Sequence, residues 1–188
     1  MVTYGAVIYF FLLPSDFLPE DKSFFYRVLG LIFTGTFLIP VLFTFSMKRF
    51  GQISSLQLEK QRERNWPLLV TAIVYVVAFY SLRSRVIPGF IQLYLLGAIV
   101  GILFSLLVNL RWKISLHLIG IGGLCGGISA IMYTMEMGNP MLLALCFLAA
   151  GILGTSRLIL RAHTPAQILA GFASGFAIEF LIMLFAFS

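Results

Sequence analysis

The chain has 188 residues, of which 60% are hydrophobic and only 11% charged, and its mean hydropathy is +1.01. A soluble domain carries about 25% charged residues, so no soluble fold can hide this much apolar surface. The net charge of +6 is crowded at the ends of apolar segments, in neither a basic tail nor a basic amphipathic helix, which argues against nucleic acid as a partner and for interfacial anchoring and an anion site.

At roughly 20 apolar residues per bilayer crossing, the length divides into an all-α, polytopic transmembrane bundle of six or seven helices. Only short loops remain, and the whole chain reads as one domain. Apolar runs bounded by charges, Pro or Gly predict helices over 2–13, 24–47, 67–82, 89–110, 114–134, 140–157 and 165–187. The first is short: at about 1.5 Å per residue it reaches about 18 Å. It also lacks the basic residues that precede a signal peptide's apolar core. Pro40 is expected to kink the second helix, because it removes a backbone donor and crowds the preceding turn. Gly97 and Gly101, Gly123 and Gly127, and Gly171 and Gly175 are each four apart, a spacing that lets helix backbones approach closely. Cys125 and Cys146 lie in apolar runs without His or Cys at metal-ligand spacing, so packing is their expected role.

Alternating the spans sends the loop 48–66 and the joints 110–114 and 157–164 to one membrane face. The loops around 14–23, 83–88 and 135–139 go to the other. Three separated segments thereby bring Lys60, Arg62, Arg64, Arg111, Lys113, Ser115, His117, Ser156, Arg157, Arg161, His163 and Gln167 to one surface, both histidines of the chain among them. Taken singly, each basic residue reads as an anchor that snorkels to lipid headgroups. Their conjunction with two imidazoles calls for chemistry.

Thr164 and Pro165 have the form of an N-cap and a first-turn proline, which places His163 just outside a helix N-terminus, where free backbone donors favour an anion. Gln167 follows His163 by four residues, within reach of its ring. Ser115 and His117 open another helix on the same face, ahead of the Gly-rich run 120–127. Such a surface suits a phosphate ester: arginines bind its oxygens, one imidazole attacks phosphorus, and the other protonates the departing oxygen. No acidic cluster is at hand to hold magnesium or zinc, so the expected path uses neither metal nor cofactor. Glu179 lies about 21 Å along the last helix from Pro165, too deep to serve these histidines. It is expected either to pair within the bundle or to take part in proton movement.

Ser156-Arg157, five residues, His163, three residues and Gln167, continued by Ile168 to Gly171, resembles the third motif of the membrane branch of the type 2 phosphatidic acid phosphatase superfamily. These are histidine phosphatases related to the vanadium haloperoxidases, and the last place of their motif is Asp. The stretch Ile114 to His117 is similar to the second motif, Pro-Ser-Gly-His, through Ser115 and His117. Lys60, Arg64 and Pro67 supply the residue types of the first motif at a different spacing, with Trp66 before the proline. Order, intervals and shared membrane face agree over residues 48–180.

The resemblance implies His163 as nucleophile, His117 as general acid, and Ser115, Arg157, Arg64 and Lys60 as phosphate ligands. Gln167 stands where the family's Asp orients the nucleophile and balances its charge. Where an Asp plays that part in serine proteases, an amide in its place costs roughly 10⁴ in turnover. Two functions therefore stay open. One is a metal-independent phosphatase that works through phosphohistidine on a lipid phosphate or pyrophosphate, such as phosphatidate, a phosphatidylglycerol precursor, a polyprenyl carrier or a lipid A phosphate. The other is a non-catalytic relative that binds the phosphate headgroups of membrane lipids, or a subunit with a protein partner in a membrane complex.

Orientation is contested between two signals. The motif face has nine Lys and Arg (48, 49, 60, 62, 64, 111, 113, 157, 161) and the other four (22, 27, 83, 85), which by the positive-inside rule makes the motif face cytoplasmic. Setting aside Lys60, Arg64, Lys113 and Arg157 as site residues leaves five against four, and the resemblance then favours a multi-pass protein of the cell (inner) membrane with an extracytoplasmic site.

Overall fold

The computed structural model describes residues 22–56, 58, 60–83, 89–136 and 138–187, together with positions 3, 5, 7 and 8. The helix predicted over 2–13 and the loops around 14–23 and 83–88 fall mostly outside the described residues. Helices α1 (Lys22–Phe33) and α2 (Ile39–Arg49) form one rod through a π-helical turn, Thr34–Leu38. A 3₁₀ turn, Gln61–Arg64, leads into α3 (Asn65–Arg83), followed by α4 (Gly89–Asn109), α5 (Leu116–Met135), α6 (Pro140–Ile159) and α7 (Pro165–Phe187). Six of these rods are long and apolar enough to cross a bilayer, and no strand occurs among the described residues. The protein is an all-α, multi-pass membrane bundle.

The crowding expected at Pro40 is absorbed by the π turn. Ile39 donates its N–H to Thr34, and the Thr36 carbonyl, which a non-proline at position 40 would have bonded, accepts instead from the Tyr75 hydroxyl of α3 at 3.2 Å. The Thr36 carbonyl thus has a partner in spite of the proline.

Large apolar side chains such as Phe45, Ile73, Leu107, Leu148, Ile152 and Phe185 point outward, toward lipid. The exception is α5, of whose central window 67% is buried against 17–39% for the other five spans. Glycine explains its central place. A β-carbon at Gly122 or Gly126 would overlap the carbonyl oxygen of Phe172 or Phe176, and one at Gly175 that of Ile119. At Gly171 it would lie 2.8 Å from the Ser115 carbonyl. Lipid tails are as apolar as leucine, so what holds helices together here is close packing, and small residues permit it. Residue numbers rise together along this seam, so α5 and α7 run parallel.

The close approach expected at Gly171 and Gly175 is present. On α5 the tightest approach to α7 is at Gly122 and Gly126, while Gly123 meets the same helix at ordinary contact distance, its would-be β-carbon 3.7 Å from the Gly175 carbonyl and 3.9 Å from Glu179. Gly97 of α4 borders the Glu179 carboxyl so closely that a β-carbon would overlap it. Cys125 and Cys146 are both buried and free.

Candidate functional site

The joint between α6 and α7 is built by backbone rules. Helix α6 ends in a Schellman motif: Ala162 donates to the Arg157 carbonyl at 3.0 Å and Arg161 to that of Leu158 at 2.9 Å. Arg161 takes the left-handed conformation, φ 49°, that glycine usually supplies there. Two residues later α7 opens with a capping box, Thr164-Pro165-Ala166-Gln167. The Thr164 N–H donates to Gln167 Oε1 at 3.1 Å, and the Gln167 N–H to Thr164 Oγ1 at 3.4 Å. His163 is held between the two motifs, 8% exposed.

Its Nδ1 lies 3.1 Å from the same Gln167 oxygen. Because the Thr164 N–H fixes which end of the amide is oxygen, and an amide oxygen only accepts, the neutral ring carries its proton on Nδ1. The Nε2 lone pair is therefore left for other work. Burial holds the ring's pKa below its ordinary value, and the Arg64 and Lys113 charges add to that. Hydrogen bonds to Gln167 and to the Lys113 backbone oppose it by favouring the charged form.

Two further segments meet this joint. The Ser115 N–H reaches the Gln167 carbonyl at 3.4 Å, so that α5 and α7 begin side by side. Ser115 occupies the N-cap of α5, but its hydroxyl makes no cap. It is fully buried and has no hydrogen-bond partner among the described residues. Arg64, 6% exposed, donates from Nε to the Leu58 carbonyl at 2.8 Å and from Nη1 to the Ile114 carbonyl at 3.2 Å. These bonds tie the loop 48–66 to the start of α5 and commit two of the guanidinium's five N–H groups.

Arg157 leaves its buried Nε without a partner among the described residues. The charges of Arg157, His163 and Arg64 all act on the exposed His117 ring. His117 opens α5 two residues after Ser115, so both imidazoles and both guanidiniums face the same end of the bundle. Lys60 stands apart, its side chain 70% exposed and its ammonium 3.5 Å from Glu63.

Sequence reasoning missed two features. Asn109, 2% exposed, donates from Nδ2 to the Gln61 carbonyl and to Asn65 Oδ1, both at 2.9 Å, while Gln61 Nε2 donates back to the Asn109 carbonyl. This amide knot joins the end of α4 to the start of α3, beside Arg64. A polar residue closing an apolar run, as Asn109 does, was the only signal. The second feature is a cavity of about 380 Å³ that His117 and Glu179 both line. Glu179, expected to be too deep for the histidines, faces Gly123, six residues or about 9 Å along α5 from His117. The distance along its own helix from Pro165 hid this, because α7 was not yet registered on α5.

No protein-family model, no curated protein and no solved structure matches the chain.

Proposed function

We propose that the protein is a metal-independent phosphatase for a lipid phosphate or pyrophosphate, a distant member of the type 2 phosphatidic acid phosphatase superfamily. The observation that carries this is the pair of orphaned donors, the Ser115 hydroxyl and Arg157 Nε, buried without a partner among the described residues at the end of the bundle where both histidines and the N-termini of α5 and α7 lie. Buried polar groups are ordinarily matched, and a phosphate oxyanion matches all of these at once.

In the proposed reaction, Nε2 of neutral His163 attacks phosphorus and the bond from phosphorus to the lipid oxygen breaks. His117 delivers a proton to that oxygen, so the lipid alcohol leaves and phosphohistidine remains. A water then gives its proton to His117 as its oxygen attacks phosphorus, the P–N bond breaks, and inorganic phosphate departs. Arg157, Ser115 and the free N–H groups of Arg64 hold the phosphoryl oxygens throughout, and Gln167 keeps the His163 proton on Nδ1. We place the protein in the cell membrane with the site on the extracytoplasmic side.

The test is phosphate release from phosphatidate and from a polyprenyl pyrophosphate by the purified protein in chelator. Release that His163→Ala abolishes supports the proposal; release that the variant retains refutes it. A second reading, a relative that binds phosphate headgroups without turnover, is favoured by Gln167, which gives the nucleophile orientation but no negative charge. Binding of lipid phosphate by the unaltered chain with no release supports that second reading instead.

A further inference from the structure

The phosphate chemistry leaves the cavity lined by His117 and Glu179 unused. Its volume, about 380 Å³, falls in the range of small-molecule sites. Glycines 97, 101, 120, 123 and 175 open its walls on α4, α5 and α7, with Pro40, Leu68 and Ile102 among its apolar lining. Most of its wall is apolar, as in small-molecule sites generally. It suits a hydrocarbon chain.

One group does not suit plain hydrocarbon. Glu179 is 2% exposed, and its Oε1 has no partner among the described residues. Other polar groups of the lining are engaged: Thr71 and Ser105 bond to carbonyls of their own helices, and Tyr75 bonds to Thr36. A carboxyl oxygen accepts hydrogen bonds whether or not the group is ionised. The cavity therefore offers a hydrogen-bond acceptor about 9 Å from His117 along α5.

The geometry points to a substrate class: a lipid phosphate whose chain enters this cavity from the His117 end and carries a hydrogen-bond donor, a hydroxyl or an amide N–H, at mid-chain depth to meet Glu179. This inference rests on the phosphatase proposal for its phosphate end only. Glu179 acts in it as a specificity residue, distant from the reacting atoms.

Binding to the purified protein in nanodiscs tests it, measured by calorimetry with two probe pairs. The first is dodecanol against a dodecanediol with its second hydroxyl at mid-chain, which reads the cavity without any phosphate. The second is dodecyl phosphate against its mid-chain hydroxylated analogue, measured in the His163→Ala protein so that nothing turns over. We expect the hydroxylated member of each pair to bind about tenfold more tightly, and Glu179→Leu to erase that preference while Glu179→Gln keeps it. Equal affinity within the alcohol pair in the unaltered protein overturns the inference, and so does a preference that survives Glu179→Leu. A preference among the alcohols without phosphate release from any lipid leaves the cavity assignment standing and removes the phosphatase.

Discussion

His163 and Gln167 are joined through an oxygen that already serves the backbone: Gln167 Oε1 accepts from Thr164 N–H and from the imidazole Nδ1, each at 3.1 Å. A residue that caps the helix thus also sets the tautomer of the nucleophile proposed here. Replacing it with Asp keeps an acceptor at the same helical position and adds the charge that the imidazolium lacks. Gln167→Asp is expected to raise phosphate release at least about tenfold, a modest share of the roughly 10⁴ that separates carboxylate from amide in serine proteases. Initial rates on phosphatidate check this, and a rate equal to that of the unaltered chain argues against His163 as nucleophile.

Protonation of His163 links stability to pH. Its folded pKa lies below the ordinary 6.5, so the unfolded chain binds the proton more readily. The resulting stability is complete above pH 6.5 and is lost as pH falls through the depressed pKa. The Tm of the protein in detergent should therefore drop over that acid range, and His163→Gln should flatten the drop. Because the Gln167 bond holds the pKa up, Gln167→Ala should move the transition to lower pH.

The α5 and α7 seam has no room for a methyl group. Gly175→Ala sets a β-carbon against the Ile119 carbonyl, where neither backbone can yield, and should cost about 1–3 kcal/mol by overpacking. Gly151 of α6 has nothing within 4 Å of its would-be β-carbon, so Gly151→Ala should instead gain about 0.5–1 kcal/mol from helix propensity. Opposite shifts in Tm for the two alanines are the expected outcome.

The amide knot holds Arg64 in place. Asn109→Leu leaves the Gln61 carbonyl and Asn65 Oδ1 without their donor, at a cost of about 1–3 kcal/mol. Limited trypsin digestion should cut the loop 48–66 at Lys60 or Arg62 faster in this variant. An unchanged digestion rate means the knot is dispensable.

Left-handed Arg161 stores backbone strain of about 1 kcal/mol that glycine does not incur. Arg161→Gly should raise Tm by an amount consistent with that figure, with the α6 and α7 joint intact.

Hydropathy made the six spans legible to within a few residues, because charges and prolines close each apolar run. The N-cap at Thr164 and the reach of Gln167 to the His163 ring were equally visible, since both depend only on neighbours in the chain. What stayed hidden was rotation and register. The approach of Gly122 to the Phe172 carbonyl, the single cavity that Glu179 and His117 line, and Asn109 reaching Gln61 all depend on how one helix turns toward another, and a run apolar on every side carries little directional signal. Lys60 shows the converse: its residue type fitted a phosphate ligand, but Glu63, three residues on, is the partner it meets.

The parallel course of α5 and α7 has an electrostatic consequence. Each helix start carries about half a positive elementary charge, and here two of them abut within a nest of arginines and imidazoles. The folded bundle is thereby under a local repulsion that a bound anion relieves. Tetrahedral oxyanions should act as folding ligands: Tm should climb with added orthophosphate or orthovanadate in proportion to the logarithm of concentration, more steeply than with sodium chloride of matched ionic strength.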